Sequence, residues 1–298
     1  MSVLDTIGNA TYVPDVEWPQ LPHGMNLGIV STVALHPSGE ILVLQRADPP
    51  VLRISRSGQL LGTWGGGMVG LGHGLRADDQ GFIWLTDLTR HVVLKCTLDG
   101  EVLRTLGRDG EPEDGLDQFN QPTDVAVSAD GSFFVSDGYG NARILHFDPN
   151  GELIRTWGRG GREPGEFNTP HAMVINSKGH LIVSDRGNTR IQTFQRDGTF
   201  LDEWRVLPYI DGMCLAPDDT LYLSTGRGNQ ILRVDADGDV VESYGGTYTT
   251  RSDIEGFAVP PAGRFNVVHG VSVDRNGDLY VAEVRARRVQ KLIRTDTT

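Results

Sequence analysis

Three histidines recur at nearly equal intervals along this sequence: His73, His171 and His269. Imidazole nitrogen is a common zinc ligand, and a catalytic zinc site takes three protein ligands and keeps a fourth position open. Neighbouring members of the set are about 100 residues apart, so no sequence-local metal motif joins them. They can share one metal ion only if a repeated architecture brings equivalent positions together.

Six segments of the chain do share one pattern of short apolar stretches separated by turns. The starting residues, which we call the first positions, are Ser31, His73, Thr123, His171, Asp211 and His269. A turn follows each first position at a fixed distance, with Gly in five segments and Asp219 in the fifth of the six. Apolar strands such as Ile41–Leu44 and Leu181–Val183 come next. Regular self-similarity of this kind indicates one supersecondary unit per repeat.

Four short antiparallel strands in each repeat are typical of a β-propeller blade. The sequence therefore predicts an all-β, six-bladed β-propeller, with blades starting near residues 31, 73, 123, 171, 211 and 269. We expect residues 1–298 to form a single domain, with residues 1–30 as closing strand and lead-in. The sixth repeat lacks a fourth strand, so Tyr12–Pro19 is predicted to supply it and to close the ring.

In a propeller the innermost strands run along the central channel, and equivalent positions form a ring. Histidine occupies the first position in alternate blades, which are about 120° apart in a six-fold ring, so the three imidazoles converge on the axis. This geometry predicts a three-histidine metal site. Zinc is favoured, with iron, manganese and cobalt as alternatives. The competing interpretation is that each histidine only hydrogen-bonds between blades.

Two arginines and a tyrosine follow the second strands, near one mouth of the channel. Arg46 and Arg186 are suited to bind a carboxylate in bidentate fashion. The alternative is that an arginine at this position only neutralises the Asp before it. Tyr139 follows a glycine, so its phenol can reach the axis, where a cation would lower its pKa enough for it to act as a base. Asp87, Asp137 and Asp185 in the adjacent ring are interpreted as turn caps.

Composition narrows the class of partner and compartment. With 27 Lys and Arg against 39 Asp and Glu, the net charge is −12, which argues against nucleic-acid and anionic-membrane partners. No apolar run is long enough to predict a membrane span. Cys96 and Cys214 are too few for a disulfide framework and read as buried apolar residues, so we expect a reducing, cytoplasmic setting. The oligomeric state stays open.

Several stretches resemble a known family. They are Gln118–Val127, Val135–Ile144, Pro170–His171 and Val183–Gln192. These resemble the peptidyl-α-hydroxyglycine α-amidating lyases, and the Gly-Asn-x-Arg-Ile motifs at residues 140–144 and 187–191 are similar to NHL repeats. The resemblance spans about residues 30–294 and is closest between Gln118 and Gln192.

The resemblance implies a six-bladed propeller with zinc bound by His73, His171 and His269. It also implies catalysis by Tyr139, Arg46 and Arg186. The implied reaction cleaves the C–N bond of an N-acylated α-hydroxyglycine to an amide and glyoxylate. Under it, we expect Tyr139 to take a proton, Arg46 to stabilise the phenolate and Arg186 to hold the carboxylate.

The sequence departs from the family at three places. Family disulfides would join positions 120 with 140 and 182 with 193, and none of these is cysteine here. Val267 replaces a methionine two residues before the third histidine. Gly270 replaces an acidic residue that holds a structural calcium ion in the family, which argues against a calcium site.

Three functions are therefore compared. The first is a metal-dependent lyase acting on an N-acyl α-hydroxyglycine-like hemiaminal, with a small-molecule or short-peptide substrate that bears a carboxylate. The second is another metal-dependent hydrolase or lyase for a small carboxylated or ureido metabolite. The third is a non-catalytic NHL-type scaffold that binds protein or RNA; it gives no reason for three alternating axial histidines, and the net charge speaks against RNA.

Overall fold

A computed structural model of the chain describes residues 12–205, 209–235, 238–245 and 259–295. These residues form six antiparallel four-stranded sheets, which are the blades of a six-bladed β-propeller. The predicted architecture is confirmed, and the first positions lie on the innermost strands or directly before them. Residues 1–11 of the predicted lead-in lie outside the described part of the chain.

The first three blades follow one another along the chain. The first blade contains β2 Val30–Leu35, β3 Ile41–Gln45, β4 Val51–Ile54 and β5 Leu60–Trp64. The second contains β6 Gly72–Ala77, β7 Ile83–Asp87, β8 Val92–Cys96 and β9 Val102–Leu106. The third contains β10 Asp124–Val127, β11 Phe133–Asp137, β12 Arg143–Phe147 and β13 Leu153–Trp157.

The last three blades repeat this order, except that the sixth takes its outer strand from the beginning of the chain. The fourth contains β14 Pro170–Ile175, β15 Leu181–Asp185, β16 Arg190–Phe194 and β17 Phe200–Arg205. The fifth contains β18 Gly212–Leu215, β19 Leu221–Ser224, β20 Gln230–Val234 and β21 Val240–Gly245. The sixth contains β22 Val268–Val273, β23 Leu279–Glu283, β24 Arg288–Arg294 and β1 Tyr12–Pro14.

Strand β1 closes the ring by pairing antiparallel with β24, with Tyr12 opposite Arg294 and Pro14 opposite Leu292. The predicted closing strand is therefore confirmed, but it ends at Pro14 and not at Pro19. The chain turns after Asp15, because the buried Trp18 side chain packs edge-on against Tyr280 with ring centroids 5.3 Å apart.

The turns between first and second strands need a backbone with positive φ. The five glycines of the repeat have φ between 76° and 92° at positions 39, 81, 131, 179 and 277. Asp219 takes the same conformation in the fifth blade, at φ 65°. Asp and Asn adopt positive φ more readily than most residues, so the turn is kept although Asp219 replaces glycine.

Apolar packing lies between the blades and not within any one of them. Each of six buried clusters joins two neighbouring sheets; Trp84 of the second blade, for example, contacts Phe133 of the third with ring centroids 4.5 Å apart. Since no sheet can bury its faces alone, the blades stabilise one another around the ring.

Helical structure is minimal. A 3-10 helix, Arg186–Asn188, follows β15 and places Arg186 at the channel mouth. Among the described residues, no helix is long and apolar enough to cross a membrane.

Ring closure by β1 can be tested with two adjacent residues. Tyr12 is buried and contacts Tyr244 edge-on at 5.4 Å, whereas Val13 on the same strand is 50% exposed. Tyr12→Ala should lower the free energy of unfolding by about 2–4 kcal/mol, because it empties an aromatic site at the closing strand. Val13→Ala should change it by less than about 0.5 kcal/mol. Equal effects in urea unfolding would contradict this role for Tyr12.

Candidate metal centre and active site

The three first-position histidines converge at the centre of the channel. Each is the second residue of an innermost strand, and the pairing with the neighbouring strand is interrupted by a bulge there. A bulge re-aims a side chain, which turns the imidazoles toward the axis. Their ring centroids are 4.7–5.1 Å apart, and one nitrogen of each lies within 4.8 Å of the others.

Hydrogen bonds to the next blade orient each imidazole. Nδ1 of His73 lies 2.8 Å from the carbonyl oxygen of Thr123, and the equivalent contacts of His171 with Asp211 and of His269 with Ser31 are 2.7 Å. A carbonyl can only accept, so Nδ1 carries the proton and Nε2 keeps its lone pair. The histidines therefore do hydrogen-bond between blades, and the same bonds leave a ligand atom free at the axis.

All three imidazoles are held neutral. Burial lowers their pKa values, and for His73 and His171 the pKa lies well below the ordinary value. The neighbouring imidazoles and the positive charges of Arg46 and Arg186 lower them further. Because a metal ion needs deprotonated imidazole, this trio fits a divalent transition metal ion.

Tyr139 lies against the histidine ring. Its hydroxyl is 3.0 Å from Nε2 of His171 and 3.3 Å from Nε2 of His73, within donating distance of both. The preceding Gly138 allows this approach, because a Cβ there would clash with the carbonyl oxygen of Pro170. The sequence had placed this phenol near the axis, and the structure brings it into contact with two of the three predicted ligands.

Arg186 also contacts the tyrosine hydroxyl. Its Nη1 lies 3.2 Å from the Tyr139 hydroxyl and 3.1 Å from Oδ1 of Asp211, and the guanidinium lies 5.1 Å from the centroid of the phenol ring. The preceding Asp185 is instead paired with Arg190 at 2.7 Å. The alternative that Arg186 only neutralises the residue before it is therefore wrong.

Arg46 contributes a positive charge that lacks a carboxylate partner among the described residues. Its Nε donates to the Ser31 hydroxyl at 2.9 Å. Burial lowers the pKa of its guanidinium, and attraction to Tyr139 only partly opposes that shift. A half-buried cation with a neutral hydrogen-bond partner is a favourable place for an anionic group.

The protein itself does not activate the phenol of Tyr139. Burial raises its pKa above the ordinary value, while the charges of Arg186 and Arg46 oppose that rise without overcoming it. Two arginines alone are therefore insufficient to make this phenol a base. A cation held by the three histidines would lower this pKa further.

The acidic ring next to these arginines has a structural role, as interpreted from the sequence. Asp87 accepts the backbone N–H groups of Gly70 and Leu71, and Asp137 and Asp185 accept those of Asn120 and Asn168. These carboxylates hold the loops that enter each innermost strand.

Sequence reasoning gave no role to two residues that support the site. Ser31 holds Arg46 with its hydroxyl, and Asp211 holds Arg186 with its carboxylate. Both are first positions of blades without histidine, so the ring pattern itself was the signal that could have identified them.

The positions that would form disulfides in the family lie close together in this structure, although none of them is cysteine. Ile182 and Thr193 are direct cross-strand partners, and a Cβ on Gly140 would clash with Asn120, so both disulfide positions are neighbours here. Cys96 and Cys214 are buried free thiols.

The position of Gly270 does not fit a calcium ion held by a side chain. A Cβ there would lie 2.6 Å from Cα of Thr32, so the innermost strands of the sixth and first blades meet too closely for an acidic residue. The backbone of Thr32 therefore leaves no room for an acidic side chain at position 270.

Comparison with known proteins finds a matching repeat model and several similar sequences. The NHL repeat model matches residues 119–147 and 167–194. A peptidyl-glycine α-amidating monooxygenase B from Xenopus laevis is 30% identical over 93% of this chain, which spans 35% of that protein's length. Peptidyl-α-hydroxyglycine α-amidating lyase 1 from Drosophila melanogaster is 27% identical over 96% of this chain and 60% of that protein.

A solved streptogramin B lyase shares the fold. It superimposes with a TM-score of 0.65 at 14% identity, covering 95% of this chain and 97% of that one. The relatives named above are enzymes, which supports an enzymatic role for this chain. The chain is a member of the amidating-lyase-like family of NHL-repeat proteins.

Proposed function

We propose that the chain is a metal-dependent lyase that cleaves an N-acyl α-hydroxyglycine-like hemiaminal, R-CO-NH-CH(OH)-COO⁻, into an amide and glyoxylate. The observation that carries the proposal is the position of the Tyr139 hydroxyl, which contacts two histidine Nε2 atoms and Arg186 inside a buried channel. A positioned phenol beside a metal-ligand set suits a reaction that begins with removal of a hydroxyl proton.

The reaction requires only proton movements. In it, the substrate hydroxyl loses a proton to Tyr139, the C–N bond breaks, and its electron pair becomes an amide N–H as the proton is returned. The carbon left behind becomes the aldehyde of glyoxylate, so no oxidant or reductant is consumed.

The three histidines would hold the metal ion through Nε2, and zinc is the ion that an all-imidazole set favours. When bound, such an ion supplies the positive charge that polarises the substrate hydroxyl and lowers the pKa of the phenol.

The contacts favour exchanging the roles expected for the two arginines. Arg186 touches the Tyr139 hydroxyl and is already paired with Asp211, so it is suited to stabilise the phenolate. Arg46 has a half-buried charge and a neutral partner, so it is suited to hold the substrate carboxylate. The acyl group then has room in a cavity of about 290 Å³ beside Tyr139, whose polar lining includes Asn141, Asn168 and Asn188.

We place this activity in a reducing, cytoplasmic setting, because Cys96 and Cys214 are unpaired. The substrate of the proposed reaction is a small molecule or short peptide that bears a carboxylate. A different carboxylated or ureido substrate would use the same Arg46 and Tyr139 contacts. Comparing glyoxylate release from N-acyl and ureido hydroxyglycines would separate these two lyase functions.

The metal assignment is tested by His171→Ala, with the exposed His23→Ala as matched control. Wild type and the control should carry about one transition-metal ion per chain, whereas His171→Ala should lose both metal and glyoxylate release, since two imidazoles hold the ion poorly. Elemental analysis of the purified chains measures this directly. Wild type that stays metal-free after reconstitution would move the scaffold function to first place.

The base assignment is tested by Tyr139→Phe, with the exposed Tyr209→Phe as control. Metal content should be unchanged in both. Turnover by Tyr139→Phe should fall about 10²–10⁴-fold, the usual contribution of a positioned proton acceptor. Normal kcat in this variant would exclude Tyr139 as the base.

The carboxylate assignment is tested by Arg46→Ala, with Arg159→Ala on the surface as control. Loss of a charged hydrogen bond should raise KM for the hydroxyglycine about 10–100-fold. The same substrate as its methyl ester should bind wild type and Arg46→Ala about equally. An equal penalty for acid and ester would contradict the assignment.

A further inference from the structure

Arg76 crosses the channel beneath the histidine ring. It lies on β6, three residues after His73, and its guanidinium reaches the innermost strands of three other blades. Nε and Nη2 donate to the two oxygens of Asp124 at 3.0 and 2.5 Å. Nη2 also lies 3.3 Å from the carbonyl oxygen of Met173, and Nη1 donates to that of Met213 at 3.0 Å.

These acceptors form a converging set of oxygens. One carboxylate and two backbone carbonyls, from the third, fourth and fifth blades, point to one place on the axis. Carboxylate and carbonyl oxygens are the ligands that a hard divalent cation such as Ca²⁺ uses in proteins. Here their lone pairs are taken by N–H donors.

The guanidinium also divides the channel. Arg76 lines a cavity of about 20 Å³ together with the three histidines, and it lines a second cavity of about 320 Å³ with Val127, Ile175 and Leu215. Its side chain keeps 25% exposure, while that of Asp124 keeps 5%. The carboxylate is thus almost fully removed from water, and a cation has to accompany it.

We propose that the Arg76 guanidinium is a built-in cation that ties the second to fifth blades together beneath the histidine ring, in the place of a bound calcium ion. Gly270, which lines the same cavity, supplies no acidic side chain from the sixth blade, and the Asp124 carboxylate and the two carbonyl oxygens accept from Arg76. Because Asp124 balances its charge, this cation does not repel a metal ion at the histidines. The inference is independent of the proposed reaction.

The experiment measures calcium-dependent stability of the full-length chain with and without this guanidinium. The melting temperature of wild type should not change with millimolar Ca²⁺ or with EGTA. Arg76→Ala should melt about 5–10 °C lower, because it leaves the buried Asp124 carboxylate without a cation, bonded only to the N–H groups of Val125 and Met173. Millimolar Ca²⁺ should then recover at least half of that loss in a saturable way.

Three variants separate this from a general effect. Arg76→Ala combined with Asp124→Asn should not respond to Ca²⁺, because the carboxylate is gone. Arg76→Lys, which keeps the cation, should be more stable than Arg76→Ala and should also not respond. Arg196→Ala, which breaks the surface ion pair with Asp130, should change the melting temperature little and gain no calcium response.

The outcomes that would overturn the proposal are distinct from failure of the lyase reaction, since none of them involves turnover. They are a saturable Ca²⁺ response in wild type, an Arg76→Ala protein as stable as wild type, and equal Ca²⁺ responses in the single and double variants. If Arg76→Ala fails to fold, refolding in Ca²⁺ should recover it. The proposal would also be overturned if Ca²⁺ did not restore folding of Arg76→Ala and if Arg76→Lys also failed to fold.

Discussion

The structure depends on one requirement: a buried imidazole N–H at the channel axis must donate to an oxygen. Each histidine meets it with the first-position carbonyl of the following blade, so His73, His171 and His269 are bound to Thr123, Asp211 and Ser31. An unmade buried hydrogen bond would be costly, so these bonds determine both tautomer and orientation. The unprotonated Nε2 atoms that face the axis are a consequence of how the blades are joined.

At the other three blade junctions, a hydroxyl group takes the place of the imidazole N–H as donor to a backbone carbonyl of the next blade. Ser31 donates to the carbonyl of Gly72, and Thr123 donates to that of Pro170. Between the fifth and sixth blades the first-position residue is Asp211, an anion that cannot donate, and Ser224 donates to the carbonyl of His269 in its place. The Asp211 carboxylate can therefore bind Arg186. The junction between the fifth and sixth blades thus affects the electrostatics of the site.

Charge in the channel is arranged in two layers. The upper layer holds two arginines and one aspartate around neutral histidines, which leaves an excess of positive charge facing the mouth. The lower layer holds the balanced pair of Arg76 and Asp124. The excess positive charge therefore favours an anionic group at the layer that contains Tyr139, whereas the charges of the lower layer balance each other.

The sequence by itself determined the number of blades, the position of the closing strand and the three histidines. This was possible because a sequence repeat shows which residues occupy equivalent positions in successive blades. Turn residues such as Gly131 and Asp219 show where each repeat lies along the chain. The residue pattern also singled out Tyr139, Arg46 and Arg186, and the resemblance implied their roles in one particular reaction. Only the tertiary structure decided their partners. Arg186 pairs with Asp211 and not Asp185, Arg46 donates to Ser31 and has no carboxylate partner in the described part of the chain, and Arg76 crosses the axis. The physical reason is that the periodic pattern fixes which strand faces the axis, whereas rotamers and contacts between blades depend on side chains far apart in the chain.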